Sequence, residues 1–481
     1  MDSISRRRFM EQSLLAAMTG LAATEAAAAP RTTRRRVAAN DKIHIAIIGV
    51  HGRGLDHIRG YLVHDDVEIV ALCDADMAVI PKASDLIEKA GKPKPKAVQD
   101  IRELLAMKEI DAVSIATPNH WHSLAAIWAM QQGKDVYVEK PVSHNVSEGR
   151  RTVEVARKLD RICQAGTQSR SHKACRDAMD YIHSGKMGRV TLSRGLCFKP
   201  RNSIGKVDGP QMPPASVSYD LWLGPAPQKP VERRQFHYDW HWFWDYGCGD
   251  LGNQGIHQMD IARWALNKNT LPNSVMSVGG RFGYVDDGQT PNTELSFFDY
   301  GDSHLTFEVR GLKTEGVEGV KIGNIVYGTE GYAAFSDSYG KAAIFDNSHN
   351  KIMDFSGTGD HFGNFIKAVR SRKASDLNGD ILEGHLSSAL CHLGNISYRL
   401  GAPQPFSPKT KAFGDDKEAC ETYGRFEQHL SDNGIKLEEM KCLLGPQLKF
   451  DPHTEKFRGN KQANALLTRE YRKGFEVPEK A

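Results

Sequence analysis

The chain has 481 residues, 40% of them hydrophobic and 25% charged, which is enough for two or three globular domains. Its formal net charge of +4 comes entirely from residues 1–40, where seven arginines face three acids, so residues 41–481 are neutral. A neutral body excludes the electrostatic case for nucleic acid or an anionic membrane as a partner.

Residues 1–40 read as a targeting segment and basic linker. Ser5-Arg6-Arg7-Arg8-Phe9-Met10 has the twin-arginine pattern. The apolar stretch Leu14–Ala23 is shorter than the roughly 20 residues of a membrane span, and the alanine run Ala26–Ala29 offers an Ala-x-Ala cleavage site. The expectation is a protein handed to the twin-arginine (Tat) export machinery and located in the periplasm. That route carries folded chains. The eight cysteines form no C-x-x-C pair, so they are expected as free, buried thiols, and no metal site is expected.

Residues 41–165 alternate strand and helix. Strands are expected at Ile43–Ile48, Val67–Cys73, Ala112–Ala116, Asp135–Val138 and Ile162–Ala165. Helices are expected at Gly54–Val63, Met77–Ala90, Ile101–Met107, Trp121–Gln132 and Ser147–Leu159. Continuous apolar strands joined by helices predict a doubly wound parallel sheet. Residues 166–400 predict a second, α+β domain. Its expected helices are Cys175–Ser184, Gln254–Leu266, Phe362–Ser371 and Gly384–Leu400. Its strands, such as Val190–Phe198, Glu294–Phe298, His304–Val309, Gly323–Tyr327 and Ala342–Phe345, mostly alternate in polarity, the signature of a largely antiparallel sheet covered on one face. Residues 401–481 read as a polar, irregular extension packing on the body, with helices near Asp416–Ser431 and Asn460–Tyr471.

Between the first strand and helix lies Gly49-Val50-His51-Gly52-Arg53-Gly54. Gly49 permits a tight turn and Gly54 close packing of helix on strand, while the central glycine of G-x-G-x-x-G is replaced by His51, with Gly52 beside it. The helix start would supply N–H donors to a pyrophosphate. Asp74 ends the second strand, where a carboxylate accepts the hydroxyls of an adenosine ribose and repels a 2′-phosphate. No arginine follows it, so NAD is expected over NADP. Pro118, Asn119 and His120 lie after the Ala112–Ala116 run, at the carboxyl end of the sheet, and Glu139-Lys140-Pro141 after Asp135–Val138. Lys140 is placed to donate to a substrate oxygen, and a cation there lowers the pKa of a substrate hydroxyl.

The glycine turn, the strand-end acid, the run Thr117-Pro118-Asn119-His120-Trp121-His122 and Glu139-Lys140-Pro141, in this order, resemble the Gfo/Idh/MocA oxidoreductases over about residues 41–400. The resemblance implies a Rossmann domain, a second domain whose open sheet often mediates homo-oligomerisation, a nicotinamide cofactor and a sugar or polyol substrate. It also implies that Lys140 is catalytic and that its bond to Pro141 is cis. The family pattern further places an aspartate four residues before a histidine and another three after it. Here the positions hold Asn253, His257 and Asp260, so the first carboxylate is missing. His257 is expected to be the general base, because an unperturbed imidazole titrates near neutrality.

The aromatic stretch 235–245, with His237, Trp240, Trp242 and Trp244, suits stacking on sugar rings, and Gln168 and Arg170 follow the Ile162–Ala165 run at the same edge. The resulting expectation is hydride transfer between nicotinamide and a carbohydrate carbinol. Export adds a second expectation, since free NAD is scarce outside the cytoplasm: a non-dissociating cofactor reset within each cycle, as in a redox-neutral glycosidase. A third reading is an inactive NAD-binding carbohydrate sensor or scaffold.

Overall fold

The computed structural model describes residues 41–406 and 413–480, so the twin-arginine segment lies outside the described residues. Six strands, β1 (Ile43–Ile48), β2 (Val67–Cys73), β3 (Lys96–Val98), β4 (Ala112–Ile115), β5 (Asp135–Val138) and β6 (Cys163–Ala165), form an all-parallel sheet in the order β3-β2-β1-β4-β5-β6. Helices cover both faces, as the fully buried strands β4, β5 and β6 require. The order reverses between β1 and β4. A crevice therefore opens at the carboxyl ends of these strands. Strand β3 was not expected: it is three residues long with one buried side chain, Val98, too little to show a pattern.

The second sheet has the path β14-β13-β12-β11-β7-β10-β9-β8-β16-β15. Its strands are β7 (Val190–Cys197), β8 (Ser274–Gly280), β9 (Thr293–Asp299), β10 (His304–Arg310), β11 (Ile322–Gly328), β12 (Tyr332–Phe335), β13 (Lys341–Phe345), β14 (Lys351–Ser356), β15 (Ala402–Pro405) and β16 (Lys441–Leu444). All its pairs are antiparallel except β7 with β10.

The helix Ile381–Arg399 is buried along almost its whole length and packs against both the helix Val146–Lys158 and β8. Its N-terminus is capped by Asp380, whose carboxylate accepts from the Leu382 amide. It contributes to the apolar interiors of both halves, with Ile381 in the Rossmann-side core, Leu386, Leu390 and Leu393 in the other, and Leu382 packed against both.

The tail corrects the expectation of an irregular extension. Beyond residue 400, β15 and β16 extend the large sheet past β8, and Leu448–Asp451 also pairs with β8. The strands are short, and their few inward residues hide the alternation. The last residues return to the Rossmann side, where Phe475 packs on Trp121 and Trp128 with ring centroids 5.7 and 6.1 Å away. No helix among the described residues is long and apolar enough to cross a membrane.

Candidate functional site

The glycine turn is built by exclusion. A Cβ at Gly49 would come within 2.7 Å of the Ala116 backbone, and one at Gly54 within 2.0 Å of the Gly49 carbonyl oxygen. Gly49 and Gly52 both have positive φ, 82° and 55°. Around Gly52 there is open space, so the backbone is accessible at the start of the helix Arg53–Leu62, whose N-cap offers no side-chain hydrogen bond. Gly52 thus provides the close approach that His51 does not, at a helix start with no side-chain cap. A Gly54→Ala substitution is expected to abolish nucleotide retention while the second domain keeps its fold; nucleotide released on denaturation, with circular dichroism as control, measures this.

Asp74 lines the opening and holds the turn. One carboxylate oxygen accepts from the Val50 amide at 2.8 Å and the other from the Asp76 amide at 3.0 Å. Each oxygen keeps a second lone pair for a ribose hydroxyl. Asp76 binds His237 Nε2 at 2.8 Å, and His237 stacks on His51 with centroids 4.6 Å apart. The loop following β7 is therefore fastened across the nucleotide side of the cleft.

Pro118 and Asn119 line the same cleft, as do Glu139 and Lys140. Glu139 is buried and accepts from Arg53 Nε (2.8 Å), His57 Nε2 (3.1 Å), Gln168 Nε2 (2.9 Å) and the Lys140 amide (3.0 Å). Burial alone would raise its pKa, but Arg53 and His57 outweigh it and hold the carboxyl well below the usual range. The Lys140–Pro141 bond is cis. The Lys140 ammonium donates to the Asn253 carbonyl oxygen at 2.9 Å, across from one domain to the other. Burial lowers its pKa, Glu139 opposes, and Arg53 and Lys199 add to the lowering.

His257 lies one turn beyond Asn253. Its Nδ1 is buried and has no hydrogen-bond partner, and burial, then Lys140, pushes its pKa down to about 3. This corrects the expectation of titration near neutrality: the imidazole is neutral and free to accept a proton, but weakly basic.

Several expected residues sit elsewhere. His120 turns away from the cleft and bonds the Trp222 carbonyl at 2.9 Å. Gln168 stands behind Glu139, bonded also to the Tyr137 hydroxyl at 2.8 Å. Arg170 and Asp260 are spent on each other in a buried two-bond pair of 2.7 and 2.8 Å, so neither reaches substrate. Asp260→Ala should cost about 1–3 kcal/mol, because Arg170 loses a two-bond partner but keeps Glu383 at 3.0 Å, while the Ser387 hydroxyl loses its acceptor, measurable by denaturant unfolding. Of the aromatic stretch, His237 and Trp240 line the cleft, whereas Trp242 is buried under Arg201 and Trp244 lies beside Tyr398 and Arg399. Trp242 therefore packs within the loop and Trp244 against the end of the helix Ile381–Arg399.

Residues missed from sequence are Thr117, Trp121, Leu221, Trp222, Tyr238 and His241, all lining the cleft. Trp121 is held by its indole N–H to the Leu221 carbonyl at 3.0 Å. The density of aromatic residues before 246 signalled this wall, but not which rings face inward. The residues present fit a dinucleotide: an open glycine turn, a strand-end carboxylate, and the buried Thr117 hydroxyl without a partner. Among the described residues no cluster could hold a metal ion.

A glycosyl hydrolase family 109 protein of Shewanella baltica (strain OS185) is 31% identical over 179 residues, 34% of this chain and 39% of the relative. An alpha-N-acetylgalactosaminidase of Shewanella oneidensis is 30% identical with the same coverage. The chain therefore spans less than two-fifths of the length of these curated relatives. The fold is that of the WlbA dehydrogenase from Bordetella pertussis, solved with NADH and UDP-GlcNAcA (TM-score 0.55, 20% identity, covering 76% of this chain and 100% of that one). It is also that of a UDP-N-acetylglucosamine 3-dehydrogenase from Acidithiobacillus ferrooxidans (TM-score 0.52, 17% identity, 73% and 96%). A model of the oxidoreductase family's NAD-binding Rossmann fold matches residues 43–167, and one of its C-terminal alpha/beta domain matches residues 175–293. With both domains matched over just more than half of its residues, the chain belongs to the Gfo/Idh/MocA oxidoreductase family.

Proposed function

We propose that this protein is a nicotinamide-dependent oxidoreductase acting on a hydroxyl of a carbohydrate or polyol. The observation that carries the reading is the half-buried Lys140 ammonium, which follows β5, lines the nucleotide cleft and reaches Asn253 of the second domain. When bound, the nicotinamide takes the hydride from the carbinol carbon. Lys140 donates to the hydroxyl oxygen and stabilises the charge that builds there. The neutral His257 imidazole, one turn beyond the cleft-lining Asn253, accepts the proton through its other ring nitrogen or after a ring flip, because its Nδ1 is shut off from solvent. Trp240 and Trp222 offer apolar faces to the cleft. Asp74, with Ala75 following it, supports NAD over NADP.

The glycosyl hydrolase family 109 relatives favour a second reading of the same site. On that reading a bound nicotinamide would accept the hydride and later return it, the aglycone would leave as an alcohol and water would add in its place, with Lys140 and His257 holding and moving the protons. Export through the twin-arginine segment, to a periplasm poor in free NAD, belongs to this reading, as does self-association through the open sheet.

The test is to purify the protein without nucleotide, denature it and quantify what is released. Near-stoichiometric NAD(H), followed by turnover of glycosides without net NADH production, supports the redox-neutral cycle. An empty protein that oxidises a free sugar with added NAD supports a plain dehydrogenase. Failure to bind either nucleotide sinks both.

A further inference from the structure

We infer that the substrate is an anionic saccharide, bearing a carboxylate or sulfate ester, and that Lys199 selects for it; this rests on the reading of the cleft as a saccharide site. The observation is a charge imbalance. Four cations surround the junction of β5 with the helix Gly255–Ala265: Arg53, Lys140, Lys199 and Arg201. Arg53 is answered by Glu139 at 2.8 Å. Arg201 is answered by Asp250, in a two-bond pair of 2.9 and 2.7 Å.

Among the described residues neither Lys140 nor Lys199 makes an ion pair, and Glu139, which also faces Lys140, is already paired with Arg53. Their ammonium groups close on consecutive residues of one turn, Lys140 on the Asn253 carbonyl at 2.9 Å and Lys199 on the Gln254 side-chain oxygen at 2.9 Å. Both partners are uncharged. The turn joins the helix Gly249–Asn253 to the helix Gly255–Ala265, so the Lys140 ammonium sits on the last carbonyl of the first of them. The basicity of His257, lowered first by burial, is lowered further by Lys140, Arg53 and Lys199.

Four cations facing two carboxylates in a partly closed site leave positive charge that an anion would answer, since charge is poorly screened there. A neutral sugar leaves that charge in place. An anionic one answers it. Lys199 can swing from Gln254 to the substrate while Lys140 stays on the reacting hydroxyl. The Tyr238 hydroxyl, held by Arg201 at 2.9 Å and lining the cleft, adds a donor beside it.

The test is calorimetric titration of the full chain with NAD saturating, using glucuronate, galactose 6-sulfate and glucose as probes, for wild type, Lys199→Met and Lys199→Arg. Wild type should bind at least one anionic sugar more than tenfold tighter than glucose, with the preference falling as salt rises. Lys199→Met should lose that preference, and Lys199→Arg should keep most of it. Tighter carboxylate than sulfate binding, or the reverse, identifies the group. Equal binding of glucose and both anions by wild type overturns the inference and leaves the saccharide reading intact, as does full preference in Lys199→Met. If Lys199→Met fails to fold, loss of the preference in wild type at high salt decides. No binding of any sugar overturns the saccharide reading as well.

Discussion

Lys140→Met is expected to lower kcat by about a thousandfold, the range for loss of a group that both positions a proton and stabilises charge in a dry site, while released nucleotide per chain stays at the wild-type level. Methionine fills nearly the same volume, so the fold around β5 is kept. The Glu139 carboxylate retains Arg53, His57 and Gln168, and its bond from the backbone amide of residue 140 is independent of the side chain. Nucleotide retention depends on the glycine turn, Asp74 and the loop fastened by Asp76 and His237, none of which touches the lysine side chain. A protein that only senses sugar would keep all measurable behaviour in this variant, and that outcome would sink the catalytic reading. The pH profile of wild-type sugar oxidation carries a related expectation. His257, at about 3, gives no acid limb between pH 5 and 7. Lys140 donates as an ammonium, so activity falls as pH rises through its lowered pKa, placing the alkaline limb below the usual lysine range. A clear limb near pH 6.5 that disappears in His257→Gln would return the near-neutral base to the mechanism.

The sheet of the first domain was legible because parallel strands buried on both faces are written as continuous apolar runs, and five of its six strands fall where those runs lie. The sixth, β3, has too few residues to carry a period. In the second sheet β8, β12, β14 and the tail strands escaped for a related reason: Ser274–Gly280 mixes small and apolar residues, and Lys351–Ser356 is an exposed edge. The backbone parts of the site were legible, since glycine at positive φ and an acid at a strand end are constraints set locally. Side-chain parts set by long-range pairing were not. Arg170 and Asp260 are 90 positions apart, and only the folded chain shows that each consumes the other. The same holds for His120, whose partner carbonyl is 102 positions away. The depressed pKa of His257 comes from burial and from Lys140 in another domain, neither of which its own neighbours in sequence reveal.

The same burial predicts acid sensitivity of the whole molecule. His120, His241 and His257 are held neutral with pKa values lowered to about 3, and His361 and His392 to about 4, in each case first by burial. In the unfolded chain each returns to about 6.5. Below pH 6.5 the unfolded state therefore binds protons that the folded state refuses, and stability falls as pH falls, by about 1.4 kcal/mol per unit for each group until its folded pKa is reached. His120, His361 and His392 are almost without solvent contact and carry most of this slope, while His241 and His257 contribute less because their residues are partly exposed. Glu294 acts in the opposite sense: burial raises it to about 8, so it is protonated in the folded state and adds stability as pH falls toward 4.5. One such carboxyl offsets one histidine. The remainder amounts to about 4–8 kcal/mol between pH 6.5 and pH 5, comparable to the roughly 5–15 kcal/mol that holds a typical domain folded. With NAD saturating at every pH, Tm should drop by more than about 10 °C between pH 7 and pH 5, and His361→Gln together with His392→Gln should flatten the drop. A Tm constant to within a few degrees over that range would mean that these imidazoles are charged in the folded protein, and with them the neutral state assigned to His257 would fall.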